Sequence, residues 1–209
     1  MVGMALLVTA GTSQGMQRKR HALPRSGGMQ TSAQSAAATS TQTSPLISLQ
    51  RKLDYLQRNA ALAHPNPAPT EITEAEANAW FAAGKVKMPR GVKSVVYKAT
   101  PGMIQGDALV DFDEVTENSR SANPLLGMFT GTHNVTVIAD ADGRAGNAHV
   151  HVRSMAIDGV GIPRMALEYF ADRYVSRKYP GFGLDSTFKM PARIDKGIVG
   201  SGRVLLYQK

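Results

Sequence analysis

Two histidines one residue apart, His149-Val150-His151, form the sharpest chemical pattern in the chain. On a strand they share a face, about 7 Å apart, because two backbone rises separate positions i and i+2. A carboxylate or a third imidazole beside them would complete a metal site. His133 and Asp140, on the neighbouring predicted strand, are the candidates. The second pattern is acidic: Asp107, Asp111 and Asp113, with Glu114 adjoining. Carboxylates converging across a cleft do acid–base work on glycosidic bonds. Three on one strand face, opposite an apolar face, describe a solvated surface instead. Cysteine is absent, which removes disulfides, thiolate ligands and a thiol nucleophile. No Gly-x-Ser-x-Gly elbow, phosphate loop or dinucleotide fingerprint is present. We therefore expect no catalytic residue, no metal and no cofactor, with a His149/His151 metal enzyme as the outlying alternative.

The elements that hold these residues are mostly strands. Residues 92–99 meet 103–115 across Pro101-Gly102. In the second of these, Ile104, Ala108, Val110 and Phe112 share a face. Residues 132–142 alternate Val135, Val137 and Ala139 with polar residues, and Asp142-Gly143 is the expected turn into 147–157. The end, 192–208, reads as a hairpin with Gly200-Ser201-Gly202 at its tip. These six strands, joined in hairpins, predict an antiparallel sheet in an α+β fold. Asn134-Val135-Thr136 is a glycosylation sequon within a predicted strand.

Three helices accompany the sheet. Ser44-Pro45 opens an amphipathic helix over 44–63, with Leu46, Leu49, Leu53, Leu56 and Ala60 on one stripe. It either packs on its own domain, recruits a protein partner or lies on a membrane. A proline-rich linker, 64–70, follows and marks the expected boundary of a domain over 71–209. Thr73 and Glu76 make a capping box for a second helix ending near Gly84. Asp158-Gly159-Val160-Gly161-Ile162-Pro163 reads as a hinge into a third helix, 163–178.

The formal charge of +8 over 209 residues first looks like a nucleic-acid signal. Residues 1–69 carry seven Lys/Arg against one acid, Asp54, and residues 70–209 carry 17 against 15. The basic excess thus belongs to the leader, and no nucleic-acid partner is expected. Met4 to Ala10 is a short apolar run followed by small and polar residues, so 1–16 reads as a signal segment, although it lacks a positive start. Residues 17–43 are basic, then Ser/Thr/Ala/Gln-rich, a composition too polar to build a core. Export to the periplasm or envelope is the expectation.

Soft apolar residues fill the expected core. Met88, Met103, Met128, Met155, Met165 and Met190 adapt to irregular space, whether core or acyl chain. Between the second and third strands, 121–131 is crowded with Leu125, Leu126, Met128 and Phe129.

The combination resembles the bacterial LmeA-type and YpmS-type envelope proteins. Thr73, Glu74 and Asn78 match their first motif, with Ala77 where leucine is usual. Gly159, Ile162 and Pro163 match the second, and Met190, Pro191 and Ile194 the third. The resemblance implies a tubular lipid-binding fold: a curved antiparallel sheet of about six strands packed on two helices, holding a lipid or other amphiphile between them. It carries no catalytic residues. On this basis Trp80, Phe81, Leu125, Met128, Phe129, Met165, Tyr169 and Phe170 are expected to line the site. Arg164 or Arg173 is expected to meet a headgroup. The competing expectation is a structural or interaction module whose core the same residues fill.

Overall fold

The computed structural model of the chain describes residues 44–116, 130–172 and 183–209, with Phe170 by its backbone alone. The expected signal segment and leader, together with Leu125, Met128, Phe129 and Arg173, lie outside the described residues.

Helix α1, Pro45–Ala60, begins where proline's fixed φ and missing N–H suit the first turn. Its leucine stripe is buried at Leu49, Leu53 and Leu56. Strand β1, Thr70–Thr73, runs directly into helix α2, Glu74–Ala82. The expected capping box is formed: Thr73 N donates to Glu76 Oε2 at 2.8 Å, and Glu76 N donates to the Thr73 hydroxyl at 3.3 Å. Lys52 Nζ lies 2.7 Å from the same carboxylate, and Ser48 donates to it from α1. Burial alone would raise the Glu76 carboxyl; the bonds from Lys52, Ser48 and Thr73 outweigh it and hold the group below its ordinary range. One glutamate therefore caps α2 and fastens α1 to it.

The remaining elements are β2, Val92–Thr100; β3, Met103–Asp111; α3, Phe112–Thr116; β4, Thr132–Arg144; and β5, Asn147–Ile157. They continue with β6, Val160–Gly161; α4, Arg164–Phe170; β7, Asp185–Lys189; β8, Ile194–Gly200; and β9, Arg203–Gln208. All nine strands join one sheet in the order β1-β9-β8-β4-β3-β2, and β5 pairs with β4, β6 and β7. Every pairing is antiparallel. The fold is α+β, with nine strands among the described residues rather than six. The three additional strands, β1, β6 and β7, have four, two and five residues, too few to show a periodicity.

Two boundaries differ from expectation. Strand β3 stops at Asp111, whose carboxylate accepts from Asp113 N at 3.0 Å and Glu114 N at 3.2 Å and so starts α3. Asp113 consequently leaves the strand face it was expected to share. The β4–β5 turn lies at Ala145-Gly146, with φ of 50° and 76°, three residues beyond Asp142-Gly143. Consecutive positive φ values match the twist of a two-residue hairpin. Gly143 serves elsewhere: it pairs with Gly197 of β8. Residues 132–140 of β4 pair with β3, and the same strand meets β8 at Gly143. A Cβ on Gly143 would sit 2.7 Å from Gly197 N, so only glycine permits that approach.

The proline-rich linker does not separate two cores. Leu49, Leu53 and Leu56 cluster with Trp80, Ala148, Met190, Ile194 and Leu206. Asn59, buried, donates to Gln208 Oε1 at 2.8 Å and to Asn66 O at 3.0 Å. Gln208 donates to Leu56 O at 2.8 Å and to Ala192 O at 2.6 Å. The apolar stripe of α1 is thus covered by the chain's own sheet.

Candidate functional site

The β4–β5 register fixes which residues share a face. Ile138 pairs with Ser154 and Ala139 with Val152, leaving Arg153 as an extra residue, a bulge. The bulge reverses the alternation, so Val152 and Met155 point to the same, inner side. His149 and His151 lie on the outer side, opposite Asp142 and Asp140.

The possible metal ligands are spent on one another's neighbours. His149 Nδ1 is 3.1 Å from Thr187 Oγ1, and His151 pairs with Asp185. Asp140 takes Arg153 Nε at 2.7 Å. His133 is an odd number of positions from Asp140, on the opposite face, where its Nδ1 meets Asp158 at 2.6 Å and its Nε2 meets Thr130 O at 3.0 Å. The His133–His149–His151 constellation is therefore not assembled. Among the described residues no group of three or more His, Asp or Glu is arranged to hold a metal. The acids are also engaged. Asp107 accepts from Thr136 Oγ1 at 2.8 Å and from Gln105, and lies 3.5 Å from Lys98 Nζ. Its burial raises the carboxyl, but these partners hold it below the ordinary range.

The apolar candidates divide. Trp80 and Phe81 are buried, Trp80 in the cluster with the α1 leucines. Met165 and Tyr169, expected to face the sheet, instead point outward at 82% and 52% exposure. Leu167 of helix α4 and Ala171, the residue that follows it, are buried. The helix starts one residue after Pro163, and positions 167 and 171 lie four apart, one turn, which sets the buried stripe. Arg164 Nε is 2.9 Å from Glu168 Oε1, so its guanidinium is paired along the helix. The supposed hinge is a closed turn. Asp158 and Gly159 have φ of 49° and 80°, Asp158 N donates to Asn134 O at 2.8 Å, and Asp158 Oδ1 accepts from Asn134 N at 2.9 Å.

Gly106 marks a place on the inner face of the sheet that sequence patterns did not single out. Across β2, β3, β4 and β5 the register aligns Ala99, Ile104, Ala139 and Val152 in one row, all buried. The next row is Tyr97, Gly106, Val137 and Met155, all half-buried. The row beyond is Val95, Ala108, Val135 and Ile157, of which Val135 and Ile157 are buried. The middle row is the seam between two core clusters: Val137 packs against both. At its centre, no heavy atom of the described residues lies within 4 Å of where a Gly106 Cβ would be. Gly106 has no positive φ to explain it. Its signal in the sequence is the missing side chain in the Ile104–Ala108–Val110 stripe.

Helix α2 closes the β2 end of this row. Asn78 Nδ2 donates to Tyr97 O at 2.9 Å, Tyr97 N donates to Asn78 Oδ1 at 2.7 Å, and Ala99 N donates to the Glu74 carboxylate. These side chains replace the strand that an edge would otherwise recruit. Burial pushes the Tyr97 phenol up to about 12, with the Glu74 charge adding to it. At the other end, Ile162 N donates to Met155 O at 2.8 Å and leads into α4.

No family model, curated protein or solved structure matches the chain.

Proposed function

We propose that this is a non-enzymatic, exported protein that binds a lipid or other amphiphile on the inner face of its sheet. The observation that carries this is the half-buried row Tyr97–Gly106–Val137–Met155, with no described heavy atom within 4 Å of a Cβ at Gly106, beside the buried row Ala99–Ile104–Ala139–Val152. An acyl chain laid there gains about 0.8 kcal/mol for each methylene removed from water and needs few polar partners. The row lies on the inner face of the sheet with α2 bonded to its β2 end, and the resemblance to tubular lipid-binding envelope proteins implies a ligand between helix and sheet. The outward Val160, Met165 and Tyr169 give a peripheral contact with a bilayer close to the Met155 end. Export accords with the apolar run near the start of the chain.

The second reading, a structural module of the envelope, draws on the α1 leucines packed against Trp80 and Ile194, a core filled by the chain itself. Native mass spectrometry with lipid extraction separates the two. The full chain purified from a bacterial host should carry co-purified lipid, and Gly106→Leu should lose it while staying folded. Protein that emerges without lipid, and whose Gly106→Leu variant is simply more stable, is a structural module.

A further inference from the structure

Strand β7 is an open edge of the sheet. Val152 N donates to Leu184 O at 2.7 Å and Met190 N donates to Gly146 O at 2.8 Å, so β5 bonds alternate residues of β7 between these two points. The residues in between, Asp185, Thr187 and Lys189, turn their N–H and C=O groups away from β5. No described residue bonds those backbone groups. The β2 edge, by contrast, is closed at Tyr97 and Ala99 by Asn78 and Glu74. The side chains of Asp185, Thr187 and Lys189 are exposed. Asp185 Oδ1 holds His151, and no described residue takes its Oδ2 or the Lys189 ammonium.

We infer that β7 pairs antiparallel with β7 of a second copy of this chain, about a two-fold axis at Thr187. Across that axis Thr187 faces Thr187, and Asp185 of each copy faces Lys189 of the other. Each of the three pairs exchanges two N–H···O bonds, because all three residues present their backbone outward. Opposite charges directly across an antiparallel pair attract, and like charges repel. A parallel, in-register pairing would set like against like. A lysine on an open edge ordinarily discourages pairing, but here the axis sets an aspartate against it. The ladder also has a fixed end. The next position in the alternation, Pro191, has no N–H to donate.

Sedimentation velocity of the full chain over a dilution series tests the pairing. A ladder this short gives a reversible dimer, so the mass should rise with concentration from 22.4 kDa toward twice that value. Thr187→Pro removes the central outward N–H without breaking a bond to β5 and should leave a monomer. Lys189→Asp and Asp185→Lys should each be monomeric alone, since each sets like charges against one another at both outer pairs. Mixed in equal amounts they should form a heterodimer, because every outer pair is again aspartate against lysine. A native chain that stays monomeric at every concentration overturns the pairing. So does a mixture of the charge variants that stays monomeric. A dimer that Thr187→Pro and both charge variants leave intact overturns it too, since the copies then meet through another face.

Discussion

The side-chain amide of Asn59 donates to Gln208 Oε1 at 2.8 Å, joining α1 to the last residue of β9 across 149 positions of sequence. Both residues are buried, and both also bond backbone carbonyls, Asn59 at Asn66 and Gln208 at Leu56 and Ala192. Removing one partner strands the other's polar atoms away from water. Asn59→Ala should cost about 1–3 kcal/mol in urea unfolding. Gln208→Ala should cost a similar amount, and the double variant less than the sum, because each single change already breaks their shared bond. Strict additivity would show that the two amides do not act as a unit.

Gly143 and Gly197 face each other but are not equivalent. A Cβ on Gly143 would lie 2.7 Å from Gly197 N and 3.0 Å from its Cα, both backbone atoms that cannot swing away. A Cβ on Gly197 meets nothing nearer than 3.6 Å. Gly143→Ala should therefore destabilise by about 1–3 kcal/mol, the usual cost of overpacking. Gly197→Ala should leave the thermal midpoint nearly unchanged. Equal losses would mean that the crossing of β4 and β8 is not steric in origin.

Ala192 and Arg193 are consecutive non-glycine residues with φ of 53°. The left-handed conformation costs a residue with a Cβ roughly 1–2 kcal/mol. Glycine removes that cost and returns about 0.5–1 kcal/mol in lost unfolded-state freedom. Ala192→Gly should thus stabilise slightly, raising the melting temperature by about 1–3 °C. Arg193→Gly should gain less, since Arg193 Nη1 also donates to Leu62 O at 3.0 Å beyond the end of α1. A lower melting temperature for Ala192→Gly would refute the strain.

The His133–Asp158 pair gives stability a pH dependence of known sign. The bond to Asp158 raises His133 above its ordinary 6.5, and the bond from His133 lowers Asp158 below its ordinary 3.8. The histidine's contribution is complete below 6.5 and is lost as pH rises through the raised folded value. The aspartate's is complete above 3.8 and is lost as pH falls through the lowered one. The stability advantage of the native chain over Asp158→Asn should therefore be greatest between about pH 4 and 6.5 and shrink on both sides. Asparagine tolerates the positive φ at this position, so the turn itself is kept. A difference that is flat from pH 4 to 9 in chemical denaturation would remove the pair from the account.

Much of the local architecture was already in the sequence. The capping box at Thr73 and Glu76, the start of α1 at Pro45 and the turns at Pro101-Gly102 and Ser201-Gly202 depend on a few adjacent residues. Their hydrogen bonds and φ values are met within a single turn, so local spacing determines them. Alternation likewise assigned Ile104 and Val135 to a face that is buried. Tertiary structure decided what alternation leaves open. A period of two says that a strand has two faces, not what covers each one. The Arg153 bulge brings Val152 and Met155 to one side, and cross-strand register aligns Met155 with Gly106 and Tyr97. Packing turned Leu167 inward and Met165 outward on α4, although both are apolar. Nor does spacing show that His133 faces away from His149 and His151, or that Gly143 is needed at a strand crossing rather than in a turn. Each of these outcomes depends on strands and helices far apart in the chain, where burial of the whole set, not the preference of any one residue, fixes the arrangement.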